Sequence, residues 1–275
     1  MEQNLGFIGI GAMGEALLKS FIAGGVAEAG RVTASDSNPR RLEAVENKYG
    51  IKTTSDNRSV AREASIVLLC VKPQNIREVM EEVGPSLTED KLLVSIAAGV
   101  TTNSLEGYLG RPVPVIRVMP NIACTVGAGM MAVCRGRFAT PEDEAVTSRL
   151  LKTCGRVLSV KEELMDAVTG LSGSGPAFIF EIIDALASGG VRVGFSRQEA
   201  LLLAAQTLLG AAKMVLETGD SPTRLRDQVT SPGGTTIAGL HALYRVPVQA
   251  ALIDAVVAAT ARAQELGSQV PADDV

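Results

Sequence analysis

One hexapeptide restricts this chain more than any other feature: Gly9-Ile10-Gly11-Ala12-Met13-Gly14, a GxGxxG near its start. It follows a strand-like run at residues 5–8 and opens a helix-like stretch at residues 15–23. In that setting the first glycine permits a tight turn. The second lets a pyrophosphate approach the backbone, and the third lets the helix pack on the strand, with its positive end toward the phosphates. The context of strand, glycine loop and helix predicts dinucleotide binding in a Rossmann unit.

The surrounding pattern agrees. Short Val- and Ile-rich runs at residues 4–10, 31–35, 66–71, 92–96, 113–118, 130–134 and 156–160 alternate with helix-like stretches at 15–23, 39–48, 73–83 and 102–109. Pro39, Pro73 and Pro141 stand at helix starts, where a missing N–H is tolerated. Such alternation predicts an α/β, doubly wound, mostly parallel sheet over residues 1–162. After about Glu162 the texture changes to long apolar helices at 176–191, 197–217, 235–243 and 248–266, predicting an all-α domain over residues 163–275. The run at 200–212 is apolar almost all round, interrupted only by Gln206 and Thr207. It needs cover on every side. It reads as too short and interrupted for a bilayer, so an oligomer interface is expected.

Composition removes several function classes. A net charge of -4 leaves no basic footprint, and 3% aromatic residues leave little to stack on bases, so no nucleic-acid partner is expected. Cys70, Cys124, Cys134 and Cys154 have no metal-ligand spacing, and His241 is the one histidine, so no metal site is expected. Cys70 reads as a buried free thiol, and His241 as a packed or interface residue. The start of the chain carries no signal-like or membrane-spanning segment, and with free thiols the expected address is the cytoplasm.

At the end of the second strand, Asp36 stands where an acid accepts ribose hydroxyls and favours NAD. Ser35, Ser37 and Asn38 could instead bond a 2′-phosphate, Arg40 and Arg41 could pair with one, and Asp36 could merely cap the next helix. Two further loops, Val71-Lys72-Pro73 and Ala97-Ala98-Gly99, lie at carboxyl ends of predicted strands, the edge where open α/β sheets bind ligands. In the helical part, Thr230 to Thr236 reads Thr-Ser-Pro-Gly-Gly-Thr-Thr before a helix. Exposed N–H groups and hydroxyls there would suit an anion such as a carboxylate.

Residues 166–177, DAVTGLSGSGPA, and residues 225–236, LRDQVTSPGGTT, resemble the two hallmark stretches of the pyrroline-5-carboxylate reductases. The resemblance runs from Gly6 to about Leu266 and implies a Rossmann domain followed by a helical domain that dimerises by interleaving, often within larger rings. It implies reduction of the cyclic imine 1-pyrroline-5-carboxylate to L-proline with NADP as cofactor and NAD as an alternative. Carried over by position, Gly9, Ile10, Gly11, Ala12, Met13, Gly14, Asp36, Asn57, Val71, Lys72, Pro73, Ala97, Ala98 and Gln228 would line the cofactor. Ser231, Gly233, Gly234, Thr235 and Thr236 would hold substrate, with the Thr236 hydroxyl as the catalytic group. One departure stands out: Gly219 occupies a place where some members carry a glutamate, and Glu217 and Asp220 are the carboxylates available to replace it. A 2-ketoacid reductase of similar build would need a lysine on the helical domain. Lys213, the one lysine after Lys161, lies in an apolar helix without a partnering motif.

Overall fold

The computed structural model describes residues 3–268. Eight strands form one sheet in the order β3-β2-β1-β4-β5-β6-β7-β8. They are β1 (Leu5–Ile8), β2 (Val32–Ser35), β3 (Lys52–Thr54), β4 (Ile66–Leu69), β5 (Leu92–Ser95), β6 (Val115–Met119), β7 (Gly129–Arg135) and β8 (Gly155–Ser159). Every pairing is parallel except β6 with β7. The crossovers are helical: α1 (Ala12–Ala23), α2 (Pro39–Tyr49), α3 (Asn57–Glu63), α4 (Ile76–Val83), α5 (Thr102–Leu109) and α6 (Pro141–Leu151).

Period-two alternation splits the strand side chains between two apolar layers. Phe7, Ile66, Leu68, Leu92 and Val94 pack with Leu17, Leu18 and Phe21 of α1, Leu42 and Val45 of α2, and Leu150 and Leu151 of α6. Ile8, Val67, Leu69 and Leu93 pack on the other face with Val60 of α3, Met80 of α4 and Leu105 of α5. β4 is buried at all four positions, as a central parallel strand covered on both sides must be. Strand order reverses between β1 and β4, which places the ligand crevice outside their carboxyl ends.

Several element boundaries depart from the sequence reading. The first strand stops at Ile8 because Gly9 turns with φ +86°. β3 and α3 were not anticipated: Lys52-Thr53-Thr54 is a polar three-residue edge strand, and α3 is a short helix whose start is capped by the Asp56 carboxylate accepting from the Arg58 N–H. The expected helix at 73–83 is a 3₁₀ turn, Pro73–Asn75, followed by α4.

The chain divides into two compact units, one ending at Ser174 and taking in residues 257–268 again, the other Gly175–Val256. The second contains α8 (Gly175–Arg192), α9 (Arg197–Thr218), α10 (Pro222–Gln228), α11 (Thr235–Tyr244) and the first turns of α12 (Val248–Ser268). α7 (Met165–Val168) and a π-helical turn, Thr169–Gly173, belong to the first. α8 and α9 pack through small residues: Ala187 meets Ala200 and Ala204, and a Cβ added at Gly190 would lie 2.9 Å from the Ala200 Cβ. Their other faces carry exposed Phe180, Leu202, Leu209 and Leu216. One expectation is corrected here. α9 runs 22 residues with a mean hydropathy of 1.4 in its most apolar window, so by length and composition it is long enough to cross a bilayer. A capping box between Ser196 and Glu199 starts it early and two flanking turns extend it beyond the run at 200–212. Core helices of soluble proteins pass the same test.

Candidate active site

A cleft of about 680 Å³ opens at the switch point between β1 and β4, within the range of cofactor pockets. Gly9, Gly11, Ala12, Asp36, Asn57, Val71 and Lys72 line it, together with Ser37, Asn38, Arg41, Cys70, Gln74, Asn75, Glu78, Val79 and Glu82.

The three loop glycines have different neighbours. A Cβ on Gly9 would lie 2.9 Å from Val71 Cγ1 and 3.0 Å from the Cys70 carbonyl group. On Gly14 it would lie 2.8 Å from the Gly9 carbonyl oxygen, so that glycine lets α1 pack close to the strand end. On Gly11 it would meet no protein atom within 4 Å. The space over Gly11 is therefore open to a ligand, and the backbone at the start of α1 faces it with no side chain capping its N–H groups. This fits a bound pyrophosphate.

Polar contacts hold the loop in place. Asp36 accepts the Ile10 N–H at 3.0 Å and the Asn38 N–H at 2.9 Å, and pairs with Arg41 at 2.9 Å. The cap of α2 is the Asn38 side chain, not Asp36, since Asn38 accepts from the Arg40 N–H at 3.1 Å. The Ser35 hydroxyl donates to Asn57 Oδ1 at 2.7 Å, and Asn57 Nδ2 donates to Glu82 Oε2 at 2.7 Å. Asn57 is thereby fixed at the first position of α3, facing the cleft.

Some expected residues stand back from this cleft. Ile10 is fully buried in the core, Met13 packs against the same apolar layer, and Gly14 is buried within the first turn of α1. Pro73 starts the 3₁₀ turn beside the cleft. Ala97 is buried and Ala98 exposed at the end of β5, the strand next to β4, and Gly99 turns there with φ +75° against Gly267. Cys70, expected inside the core, is only partly covered and borders the cleft; burial still pushes its thiol up to about 12. Glu78 and Glu82 were not anticipated. Ile76, Val79, Met80 and Val83 form the buried stripe of α4, and that spacing puts both acids on the opposite face.

In the second unit, Gly233 turns with φ +68° and Gly234 precedes α11, with its N–H bonded to the Ser231 carbonyl at 3.1 Å. The Ser231 hydroxyl lies where a Cβ on Gly234 would fall. α9 and α10 are capped by Ser196 and Ser221, whereas no side chain caps α11. The N–H groups of Thr235 and Thr236 lie in that first turn, with the Thr236 side chain half-buried and Thr235 exposed. Gln228 ends α10 and is exposed. Gly219 is the left-handed cap of α9 at φ +70°, a conformation that explains glycine there. Glu217 pairs with Lys213 at 3.6 Å, and Asp220 with Arg224 at 3.2 Å. Lys213 is thus an exposed, paired lysine on α9. Among the described residues no group of three or more His, Cys, Asp or Glu is placed to hold a metal ion.

The chain is 46% identical to the pyrroline-5-carboxylate reductase of Methanosarcina acetivorans over 98% of its own length and 99% of that protein's. The chain belongs to the pyrroline-5-carboxylate reductase family. Residues 162–266 match the family described as pyrroline-5-carboxylate reductase dimerisation, and residues 4–99 one described as NADP oxidoreductase, coenzyme F420-dependent. The solved Coxiella burnetii pyrroline-5-carboxylate reductase superposes with a TM-score of 0.92 at 36% identity, covering 97% of this chain and 99% of that one. The Plasmodium falciparum pyrroline carboxylate reductase, solved with NADP bound, gives 0.87 at 30% identity, covering 97% and 99%.

Proposed function

We propose that the protein reduces 1-pyrroline-5-carboxylate to L-proline, the last step of proline biosynthesis, using NADPH with NADH as an alternative. The observation that carries this reading is that the family likeness spans nearly the whole chain, both glycine loops included. The dinucleotide, when bound, supplies a hydride to the imine carbon, which is C2 of the pyrroline ring and becomes C5 of proline. A protonated imine nitrogen makes that carbon electrophilic, so the chain itself needs little covalent chemistry. Gly9 to Gly14, Asp36, Asn57, Val71, Lys72, Pro73, Ala97, Ala98 and Gln228 are the residues we assign to the cofactor. Ser231, Gly233, Gly234 and Thr235 are assigned to the substrate carboxylate, bound by the open N–H groups at the start of α11.

The Thr236 hydroxyl is assigned to the ring nitrogen. A hydroxyl is a weak acid, so its role is to orient the ring and bond the nitrogen, with the proton coming from water. Labour divides between residues 1–162 for nucleotide and 163–275 for substrate and assembly. The working form is a homodimer or a ring of dimers in the cytoplasm, with no nucleic-acid or membrane partner.

The deciding assay follows NAD(P)H oxidation with pyrroline-5-carboxylate beside a panel of 2-ketoacids. Turnover confined to ketoacids would overturn the assignment. Thr236→Val keeps shape and backbone donors but removes the hydroxyl. It should lower both kcat and kcat/KM by about ten- to a hundredfold, the loss of roughly 1.5–3 kcal/mol of transition-state bonding. Cofactor affinity should hardly change. Wild-type kinetics would take the hydroxyl out of the reaction.

A further inference from the structure

Glu82 puts an acid in the wall of a cleft that fits a ligand bearing several negative phosphates, where a carboxylate opposes binding unless another task requires it. Its partner supplies the task. Glu82 Oε2 accepts from Asn57 Nδ2 at 2.7 Å, and Asn57 Oδ1 accepts the Ser35 hydroxyl at 2.7 Å. Ser35 is fully buried at the end of β2, and its proton goes to Asn57 in preference to the Phe7 carbonyl at 3.4 Å. A hydroxyl both donates and accepts, so Ser35 alone leaves two orientations open to the Asn57 amide. An ionised carboxylate only accepts, so Glu82 permits one, with the NH2 toward Glu82 and the oxygen toward Ser35. After these contacts each end of the amide keeps one bonding position, an N–H on Nδ2 and a lone pair on Oδ1. Asn57 lines the cleft by the end of β2, which lies on the opposite side of β1 from β4. With a pyrophosphate over Gly11, that side takes the adenosine half of a dinucleotide.

We propose that Glu82 is a positioning residue for nucleotide binding: it locks the Asn57 amide in one orientation, so that Asn57 offers a fixed donor and acceptor to the adenosine half of NAD(P)H. This role rests on the cleft being the dinucleotide site of the reductase proposed above. Two ways of removing the same charge should then act differently.

Calorimetric titration of the full chain with 5′-ADP reads the adenosine half without turnover. Glu82→Gln removes the charge but keeps an amide oxygen to accept from Asn57. It should bind 5′-ADP as wild type does, or up to severalfold more tightly with one charge gone from beside the phosphates. Glu82→Leu removes charge and acceptor together and should weaken 5′-ADP about three- to tenfold, the loss of one neutral hydrogen bond. Glu82→Ala is a second truncation with the same expected result, should leucine disturb α4. In an Asn57→Ala chain, which has no amide to orient, adding either truncation should cause no further weakening. NADPH fluorescence titration should rank the variants in the same order. Tighter binding in every Glu82 variant would reduce this acid to a repelling charge. Equal weakening by truncation with and without the Asn57 amide would make it a support of the cleft wall. Either result overturns the proposal and leaves the reductase reading standing. A wild-type chain that binds neither 5′-ADP nor NADPH sinks the assignment of the cleft, and this role with it. Normal nucleotide binding without imine turnover sinks the proposed reaction alone, and the same titrations still decide the role of Glu82.

Discussion

Gly11→Val separates ligand binding from folding more sharply than any other change in this chain. Gly11 has φ -66° and ψ -173°, ordinary extended backbone that valine adopts without strain. Its Cβ would meet no protein atom within 4 Å, so the three added carbons project into the cleft. The folded chain should be nearly indifferent. Loss of unfolded-state freedom favours valine by about 0.4–1 kcal/mol, and its poorer fit at a helix N-cap offsets that by a similar amount. A net change within about 1 kcal/mol shifts Tm by no more than roughly 4 °C in a chain of this size.

The nucleotide has no such latitude. The side chain fills the place where phosphate meets the N–H groups of the loop, and losing two charge-assisted bonds of about 1.5–3 kcal/mol each weakens binding by roughly 10²–10⁴-fold. NADPH fluorescence titration and differential scanning calorimetry on the same sample read both quantities. Gly14→Ala is the contrast, because its Cβ would stand 2.8 Å from the Gly9 carbonyl oxygen, which must shift; there stability and binding should fall together. Wild-type NADPH affinity in Gly11→Val would refute the assignment of this loop to the pyrophosphate.

Three further outcomes are expected. Burial pushes Cys124 up to about 11 and Cys134 up to about 12, so at pH 8 the thiolate fraction of each is about 10⁻³ or less; a disulfide reagent should titrate these two thiols only after unfolding, and their rapid reaction in the native chain would contradict this. Burial, with the neighbouring Glu162 charge adding to it, holds the Glu106 carboxyl above its usual value although it accepts the Arg137 N–H at 2.6 Å. A native value raised above the unfolded one gives stability that is greatest below the unfolded value and declines as pH rises through the native one. Glu106→Gln should therefore gain Tm relative to wild type more at about pH 7 than at about pH 4, and an equal difference at both would refute the cause. Light scattering at micromolar concentration should show at least a dimer, and a folded monomer there would refute the interface reading of α9.

Much of the first unit is legible in the sequence because parallel strands buried on both faces must be continuous apolar runs. Ile66–Leu69 could hardly be anything else. The polar edge strand Lys52–Thr54 carries no such signature, since only one neighbour and one partly covered face constrain it. Gly9, Gly11 and Gly14 announced the cleft, yet part of its wall comes from α4, whose Glu78 and Glu82 read as ordinary surface acids until β1 and β4 set the switch point. Long-range polar contacts were illegible for a different reason. Arg117 sits inside the apolar β6 at 4% exposure, paired with Glu162 at 3.2 Å and Asp166 at 3.5 Å. Glu162 also accepts from the Thr102 N–H and hydroxyl. No periodicity links residues so far apart, although a buried arginine left unpaired would cost several kcal/mol. Asn121 is similar. It accepts the Met130 N–H at 3.2 Å and donates to the Ser172 carbonyl at 3.0 Å, tying the end of β6 to the π-helical turn in the first hallmark stretch.

The second unit makes the stronger physical point. Across Gly175–Val256 the buried apolar side chains are Ala187, Ala200, Ala204 and Leu225, three of them too small to contribute much. Ordering each residue costs about 1–2 kcal/mol of backbone entropy, and four such side chains cannot offset that over so many residues. The missing apolar burial is present but turned outward. Leu202 is 70% exposed and Phe180 62%, and side chains of this type contribute about 1.5–3 kcal/mol each when fully covered. The uniformly apolar α9 therefore lacks cover within its own unit, and it lies in residues 162–266, which match the family described as pyrroline-5-carboxylate reductase dimerisation. A helix with Ala200 and Ala204 toward α8 and leucines on its remaining faces suits the shared core of the dimer proposed above. In that dimer, folding of this unit and association would be one equilibrium, so the Tm of the chain should rise with protein concentration in calorimetry, and a concentration-independent Tm would refute the coupling.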